Sequence, residues 1–214
     1  MSSPAVDRAV PDPAGGESGL AVSGAERPRP AYGVAAQAAI AALRIALGFT
    51  FLWAFLDKTF GLSYSTPGAK SWINGGSPTK GFLSTVAVGP FESVFHTIAG
   101  TWWANVLFML GLLALGVALI LGVTMRIAAA AGSLLLVLMW SAEWPLAQFT
   151  SAGDPTGSSN PFLDYHLIYA LAIIVLAIIG AGRIFGLGDW WAKVMLFNVC
   201  AATCKSILAR PKNC

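Results

Sequence analysis

The order of apolar and polar residues along the chain predicts four membrane-spanning helices. Apolar stretches come at about 36–56, 103–123, 127–144 and 161–181, and each is close to the roughly 20 residues that cross about 30 Å of hydrocarbon as a helix. Almost nothing joins the second stretch to the third, so these two must form an antiparallel hairpin. We expect an all-α membrane protein whose four transmembrane helices pack as a bundle.

The segments outside these stretches predict three further features. Residues 1–34 begin with a mixture of Pro, Gly, Ser and both charge signs that has no apolar period, which is typical of a disordered tail. In 90–99 apolar residues recur at helical spacing between Pro90 and Gly100, which predicts a short helix on the outer membrane surface. Residues 189–214 have the pattern of an amphipathic cytoplasmic tail.

Composition supports a membrane protein and excludes other classes. The chain is 56% hydrophobic and 11% charged, whereas an ordinary globular chain carries about a quarter charged residues. A net charge of +3 from 13 basic and 10 acidic residues makes no basic face, so nucleic-acid binding is excluded. Cys200, Cys204 and Cys214 all lie near the end of the chain, so a disulfide between any two of them would not cross-link the rest of the chain.

Lys and Arg flank the predicted spans unequally, and this asymmetry sets the expected orientation. An even number of spans puts both termini on one side. Within about 20 residues of a span, that side carries Arg27, Arg29, Arg126, Arg183 and Lys193, and the other side carries Lys58 and Lys70. We expect a multi-pass plasma-membrane protein with both termini in the cytoplasm.

Small residues at a spacing of four predict where the helices touch. Such residues let two backbones approach closely. They are Ala38, Ala42 and Ala46 in the first span and Ala114, Ala118 and Gly122 in the second.

Arg44 is the one charge well inside a predicted span, where insertion scales put an arginine at about 2.5 to 3.5 kcal/mol unfavourable. It therefore needs the bundle interior, a snorkelling route to the inner headgroups, or a polar partner. Two interpretations follow: the side chain ties helices together, or its cation lies beside a buried anionic or carbonyl ligand.

Ionisable and aromatic groups gather at the outer ends of three predicted spans. Asp57 and Lys58 close the first, Glu143 lies near the end of the third, and Asp164, Tyr165, His166 and Tyr169 open the fourth. Because helix ends converge in a bundle, these groups are expected to line a pocket that exchanges protons with a quinone. The alternative is structural: Asp164 complements the start of a helix, and Lys58 pairs with a carboxylate.

The spacing of histidines, cysteines and glycines predicts neither metal nor haem nor dinucleotide. A haem between helices needs two histidines at matching depth, but His96 lies in a loop and His166 at a helix mouth. Cys200 and Cys204 share a helical face without the further ligands that zinc usually takes. The glycines of 180–186 miss the dinucleotide spacing by one residue and follow an apolar helix rather than a strand.

Three groups of residues together resemble one family. The run LRIALG at 43–48 leading to Asp57 and Lys58, the turn around Arg126, and the run NPFLDYH at 160–166 are similar to the DoxX/DoxD family of small four-helix membrane proteins. The likeness covers about residues 35–188. DoxD-type members are described as the membrane subunit of a thiosulfate:quinone oxidoreductase, and DoxX-type members are linked to membrane complexes that handle thiol or oxidative stress. The resemblance implies a quinone-linked subunit that works with a soluble redox partner.

We therefore expect a membrane subunit that passes electrons from a sulfur or thiol donor to a quinone. The predicted catalytic residues are Arg44, Glu143 and His166, and the predicted quinone-binding residues are Asp57, Lys58, Asp164 and Tyr169. The alternative, from another class, is a non-catalytic membrane scaffold that docks a soluble redox enzyme. Transport is disfavoured because no span is broken by proline. The electron donor and the oligomeric state stay open.

Overall fold

The computed structural model describes residues 32–195. The predicted disordered tail lies outside these residues except for its last three positions. Most of the predicted C-terminal tail also lies outside them, together with Cys200, Cys204 and Cys214. Throughout 32–195 the regular structure is helical and no strand occurs, so the predicted helical class is confirmed.

Four long helices and two short ones follow one another along the chain. The long ones are α1 (Val34–Phe60), α4 (Trp102–Leu121), α5 (Met125–Glu143) and α6 (Tyr165–Ile178), and the short ones are α2 (Lys80–Leu83) and α3 (Glu92–Ile98). A further helical segment begins at 188 and continues to 195. By length and composition α1, α4 and α5 are able to cross a membrane, whereas α6 is apolar but shorter.

The helix formed by the fourth apolar stretch is shorter than the predicted 161–181. Asp164 is the N-cap of α6, and its Oδ1 accepts the backbone N–H of Leu167 at 3.1 Å, which satisfies one of the free donors of the first turn. Gly180 has φ +71°, a left-handed conformation that ends helices. The 14 residues of α6 rise about 21 Å at 1.5 Å per residue.

The four long helices share one apolar core. α1 packs mainly against α4 and α5 against α6, while α4 also contacts α5 and α6 contacts α1. All four helices contribute buried residues to this core, among them Leu47, Phe51, Met109, Leu119, Leu136, Ile173 and Leu176. We call the end where α1 and α5 finish and α4 and α6 begin the outer end. The opposite end, with the 122–124 turn and residues 179–188, is the inner end.

α1 and α4 lie in close contact at a pair of glycines, Gly48 and Gly116. A Cβ on Gly48 would meet the backbone of Ile120 and the carbonyl of Gly116, and one on Gly116 would meet the backbone and Cβ of Leu52. The expectation that the alanine stripe of α1 makes this contact is wrong, because Ala38, Ala42 and Ala46 are all exposed. The buried face of α1 is instead the one that carries Arg44, Gly48 and Phe51.

Gly48→Ala should lower the free energy of unfolding by about 1–3 kcal/mol, because the added methyl group has to push two backbones apart. The measurement is thermal unfolding of the detergent-solubilised protein. Ala42→Leu is the matched control: it adds more volume to the same helix at an exposed position and should stay within about 0.5 kcal/mol. Equal effects of the two substitutions would contradict the glycine contact.

The segment between α1 and α4 packs on the outer end through its short helix α3. Phe95 of α3 is buried together with Val86 and with Ala142 of α5. The predicted helix in 90–99 is therefore confirmed, although it begins at Glu92 instead of Pro90. Its predicted stop is also confirmed, since Gly100 follows the helix with φ +77°.

Asn105, a buried residue in the first turn of α4, holds the same segment by hydrogen bonds. Its Oδ1 accepts the backbone N–H of Thr79 at 3.0 Å, the Thr79 hydroxyl at 2.7 Å and the Ser77 hydroxyl at 3.1 Å. These bonds hold residues 77–79, which lead into α2, against the start of α4. They therefore fix the position of one wall of the outer end.

Candidate functional site

Arg44 lies at the inner end of the bundle and is fully buried. Its Nη1 donates to the carbonyl oxygens of Leu119 and Ile120 at 2.7 and 2.8 Å. Its Nη2 donates to the carbonyl oxygens of Ile184 and Phe185 at 3.3 and 3.1 Å. The guanidinium therefore joins α1 to the last turn of α4 and to the segment that follows α6.

The charge of Arg44 suits this position. The last four carbonyls of a helix have no partner within the helix, and they form the negative end of the helix dipole, where a cation is favoured. Only Nε of the guanidinium has no hydrogen-bond partner among the described residues. The geometry matches the interpretation of Arg44 as a tie between helices, and the structure does not bring this residue to the outer end.

The glycines that follow α6 have a packing role at the same place. A Cβ on Gly182 would overlap the carbonyl oxygen of Gly122, and one on Gly186 would meet Nη2 of Arg44. The backbone N–H of Leu187 donates to the carbonyl of Leu121 at 2.8 Å. This segment is thus glycine-rich because its backbone lies directly against the end of α4.

Asp57, at the outer end of α1, is also buried, and its carboxylate accepts hydrogen bonds from the loop that follows α1. Its carboxylate accepts the backbone N–H groups of Tyr64 and Ser65 at 3.2 and 3.0 Å, and the Ser65 hydroxyl at 2.6 Å. These three bonds hold the chain as it leaves α1. Lys58 is half-buried beside it.

Four residues meet where α5 ends and α6 begins, and we call them the acid–histidine group: Glu143, Asp164, Tyr165 and His166. Nδ1 of His166 lies 2.6 Å from Oδ2 of Asp164 and 3.7 Å from Oε2 of Glu143. The Tyr165 hydroxyl donates to Oε1 of Glu143 at 3.1 Å. The structure thus brings together these residues of the predicted pocket.

The ends of two neighbouring helices position this group. Glu143 is the last residue of α5, and Trp144 after it has φ +41°, a strained value for a residue with a large side chain. Asp164 caps α6, and His166 lies in the first turn of that helix. Since α5 and α6 pack side by side, the last turn of one lies next to the first turn of the other.

His166 is the most enclosed member of the acid–histidine group, with 1% of its surface exposed. An ionised Asp164 carboxylate only accepts hydrogen bonds, so Nδ1 carries the proton that they share. In the neutral ring Nε2 then holds a lone pair, and this nitrogen has no partner among the described residues. A buried polar atom without a hydrogen-bond partner costs about 1–3 kcal/mol. A ligand that pairs with Nε2 would therefore stabilise the folded chain.

A cavity of about 580 Å³ opens beside the acid–histidine group, a volume within the usual range of ligand pockets. Its walls come from 82–88, from the end of α5 and from 145–160, and Glu143 and Asp164 are its charged lining residues. Asp57, Lys58, His166 and Tyr169 are not among the residues that line it. The Tyr169 ring instead packs edge-on against the Tyr165 ring, with centroids 6.0 Å apart.

Sequence reasoning did not anticipate the loop walls of the cavity. Residues 145–160 form a loop that is closed by backbone hydrogen bonds. The N–H of Thr150 donates to the carbonyl of Asp154 at 2.8 Å, and the N–H of Thr156 donates to the carbonyl of Gln148 at 3.0 Å. Neither this segment nor 82–88 has an apolar period, and the one charged residue in the two segments, Asp154, does not line the cavity. The hydroxyl-rich composition of 150–159 is the one available signal.

Comparison of the chain with protein-family models, curated proteins and solved structures gives no match.

Proposed function

We propose that the chain is the membrane subunit of a quinone-linked oxidoreductase that takes electrons from a sulfur or thiol donor. The observation that supports this best is His166: the imidazole is buried, Asp164 fixes one nitrogen, and the other nitrogen lacks a partner within residues 32–195. A quinol hydroxyl donates to such a nitrogen when the nitrogen has its lone pair. A quinone carbonyl accepts from it when it carries the proton.

The apolar character of the chain favours a lipid-soluble substrate. Three helices are long and apolar enough to cross a membrane, and a quinone dissolves in the same hydrocarbon. The resemblance of 35–188 to the DoxX/DoxD family implies the same substrate. Two thiols release two electrons and two protons as they form a disulfide, and a quinone takes up two of each to become a quinol.

We propose further that α6 completes a fourth span and that both termini are cytoplasmic. α6 packs against α5 and α1 and is continued by the turn at 181–183, which lengthens the apolar layer beyond its own 14 residues. The exposed cations Arg126, Arg183 and Lys193 belong to the inner-end side, as expected for a cytoplasmic face. The cell membrane is the proposed location.

We propose a smaller set of site residues than the sequence did, chosen by what each side chain already binds. The acid–histidine group stays in it: Glu143, Asp164 and Tyr165 line the cavity that would hold the quinone headgroup. His166 lies directly behind Asp164, and its buried Nε2 becomes accessible to the headgroup when the side chains around it move. Arg44 and Asp57 are left out, because backbone groups occupy the guanidinium of one and the carboxylate of the other. Lys58 and Tyr169 flank the region without lining the cavity.

His166→Leu should weaken the binding of a short-chain ubiquinol by about 2- to 13-fold, the equivalent of one hydrogen bond of about 0.5–1.5 kcal/mol. Binding is measured by quenching of tryptophan fluorescence in the purified full chain. His96→Gln is the control, because glutamine keeps a hydrogen-bond donor for the carbonyl of Val86, which lies in the cavity wall, and it should leave the affinity unchanged.

Thiol-dependent reduction of the same quinone, compared between membranes with the parent protein and with His166→Leu, tests the proposed reaction. We expect a faster rate with the parent. Equal rates, or a parent that binds no ubiquinol, would contradict the proposal. A soluble redox enzyme that co-purifies with a quinone-free chain would indicate the scaffold function instead.

A further inference from the structure

Two carboxylates converge on one imidazole nitrogen in the acid–histidine group. Within residues 32–195, the ion pairs of Glu143 and of Asp164 go to Nδ1 of His166 and not to any Lys or Arg. Both carboxylates also line the cavity, and none of the cationic side chains in the described part of the chain lines it with them. Two carboxylates carry more negative charge than a single imidazole can balance, which is the electrostatic condition for binding a cation.

The ligand atoms in this group are also of the right kind and closely spaced. One atom each from Glu143, Asp164 and His166 lie within 4.8 Å of one another. Imidazole nitrogen together with carboxylate oxygen is a ligand set for first-row divalent metals such as Zn²⁺, Mn²⁺ and Fe²⁺. The histidine is almost completely buried, so its nitrogen is held in place and is not a mobile surface ligand.

The structural role of Asp164 is compatible with metal binding. Its Oδ1 caps α6 at Leu167 and its Oδ2 shares a proton with Nδ1 of His166, so one oxygen keeps the helix cap while a metal would replace the shared proton between the other oxygen and the ring. Glu143 is 36% exposed on the cavity side, which leaves solvent access to the remaining coordination positions. Three protein ligands with open positions are typical of catalytic metal sites, whereas structural zinc sites are closed by four.

We propose that Glu143, Asp164 and His166 bind a divalent transition-metal cation at the mouth of the outer cavity. Sequence spacing alone did not predict this site, since its ligands come from two helices separated by a loop. The site does not depend on the proposed quinone reaction. When Nδ1 serves as a metal ligand, the ring proton resides on Nε2, so an occupied site would present a hydrogen-bond donor where the metal-free ring presents an acceptor.

Zn²⁺ titration by calorimetry tests the site in the purified full chain. The chain is produced without a polyhistidine tag, in a background with Cys200→Ser, Cys204→Ser and Cys214→Ser so that thiols do not bind the metal. We expect one Zn²⁺ per chain. Removal of a second-shell partner typically weakens metal binding 10–100-fold, so loss of a ligand in Glu143→Gln or His166→Gln should weaken it by at least about 10-fold.

Two control variants show whether the effect is specific. His96→Gln removes the other histidine of the chain, and Asp154→Asn removes a carboxylate in the 145–160 loop; both should bind Zn²⁺ as the parent does. Glu143→Gln lies at a partly exposed helix end and keeps the shape of the side chain, so it reports on the metal even if His166→Gln does not fold. An absence of Zn²⁺ binding in the parent, unchanged affinity in Glu143→Gln, or loss of binding in His96→Gln would overturn the proposal. Because no quinone is present, the result is independent of the proposed reaction.

Discussion

Arg44→Met should lower the unfolding temperature of the detergent-solubilised protein by about 6–20 °C. Methionine has a similar length and no donor, so the carbonyls of residues 119, 120, 184 and 185 would lose the N–H groups that satisfy them. A buried acceptor left without a partner costs about 1–3 kcal/mol, and because four carbonyls are affected and can relax in part, we expect a total of about 3–5 kcal/mol. In a chain of 150–250 residues, each kcal/mol shifts the unfolding temperature by about 2–4 °C.

Arg126→Met is the matched control for this prediction. Arg126 starts the hairpin at the same end of the bundle but is exposed, so its loss should change stability by no more than about 0.5 kcal/mol. Arg44→Lys should fall in between, since one ammonium keeps the charge but has no planar fork to reach both groups of carbonyls. An Arg44→Met protein that unfolds like the parent but no longer binds ubiquinol would instead establish Arg44 as a ligand-binding residue.

Two helices of the fold could be predicted closely from sequence because their apolar runs and their ends coincide. α4 and α5 begin and end within two residues of the predicted 103–123 and 127–144. α1 runs further than the predicted 36–56, to Phe60, because polar residues such as Asp57 and Lys58 continue a helix as well as apolar ones do. α6 is shorter than its apolar run because Asp164 caps it late and Gly180 ends it early.

The depth of Arg44 was not predictable from the position of the residue in its apolar run. Ten residues of α1 precede it, about 15 Å of helix, which suggests a charge deep in the hydrocarbon. Hydrogen bonds to Leu119 and Ile120 show that it is level with the end of α4. The first turns of α1 therefore extend past the end of α4, an offset that depends on how two helices pack and is not encoded in either one alone.

The part of the candidate site that is formed by helix ends could be predicted from the sequence. Glu143, Asp164 and His166 meet because α5 and α6 are antiparallel neighbours, and the sequence pattern is enough to infer that. Asp57 was expected in the same pocket, but it binds Tyr64 and Ser65, because the chain turns back on itself directly after α1. Such a return depends on loop conformation, for which the apolar pattern gives no signal.

Gly182→Ala should produce the second large loss of stability, about 3 kcal/mol or more, at the upper end of what overpacking costs. The obstacle to the added methyl group is the carbonyl oxygen of Gly122, and a backbone cannot move aside as a flexible side chain does. Gly182 does not need a left-handed conformation, since its φ is not among the positive values, so the substitution tests space alone. Gly111→Ala in α4 is the control: its Cβ would lie 3.8 Å from Leu135, an ordinary contact.

The effect of Gly182→Ala should also depend on Arg44. Displacement of the segment after α6 would pull the carbonyls of Ile184 and Phe185 away from Nη2 of Arg44, so the two substitutions remove part of the same network. The effects of two substitutions in one network on stability are not additive, and the interaction energies are about 0.5–3 kcal/mol. The unfolding temperature of the double variant Arg44→Met/Gly182→Ala should therefore fall by less than the sum of the decreases seen in the two single variants. Strict additivity would show that the glycine contact and the arginine tie stabilise the inner end independently of each other.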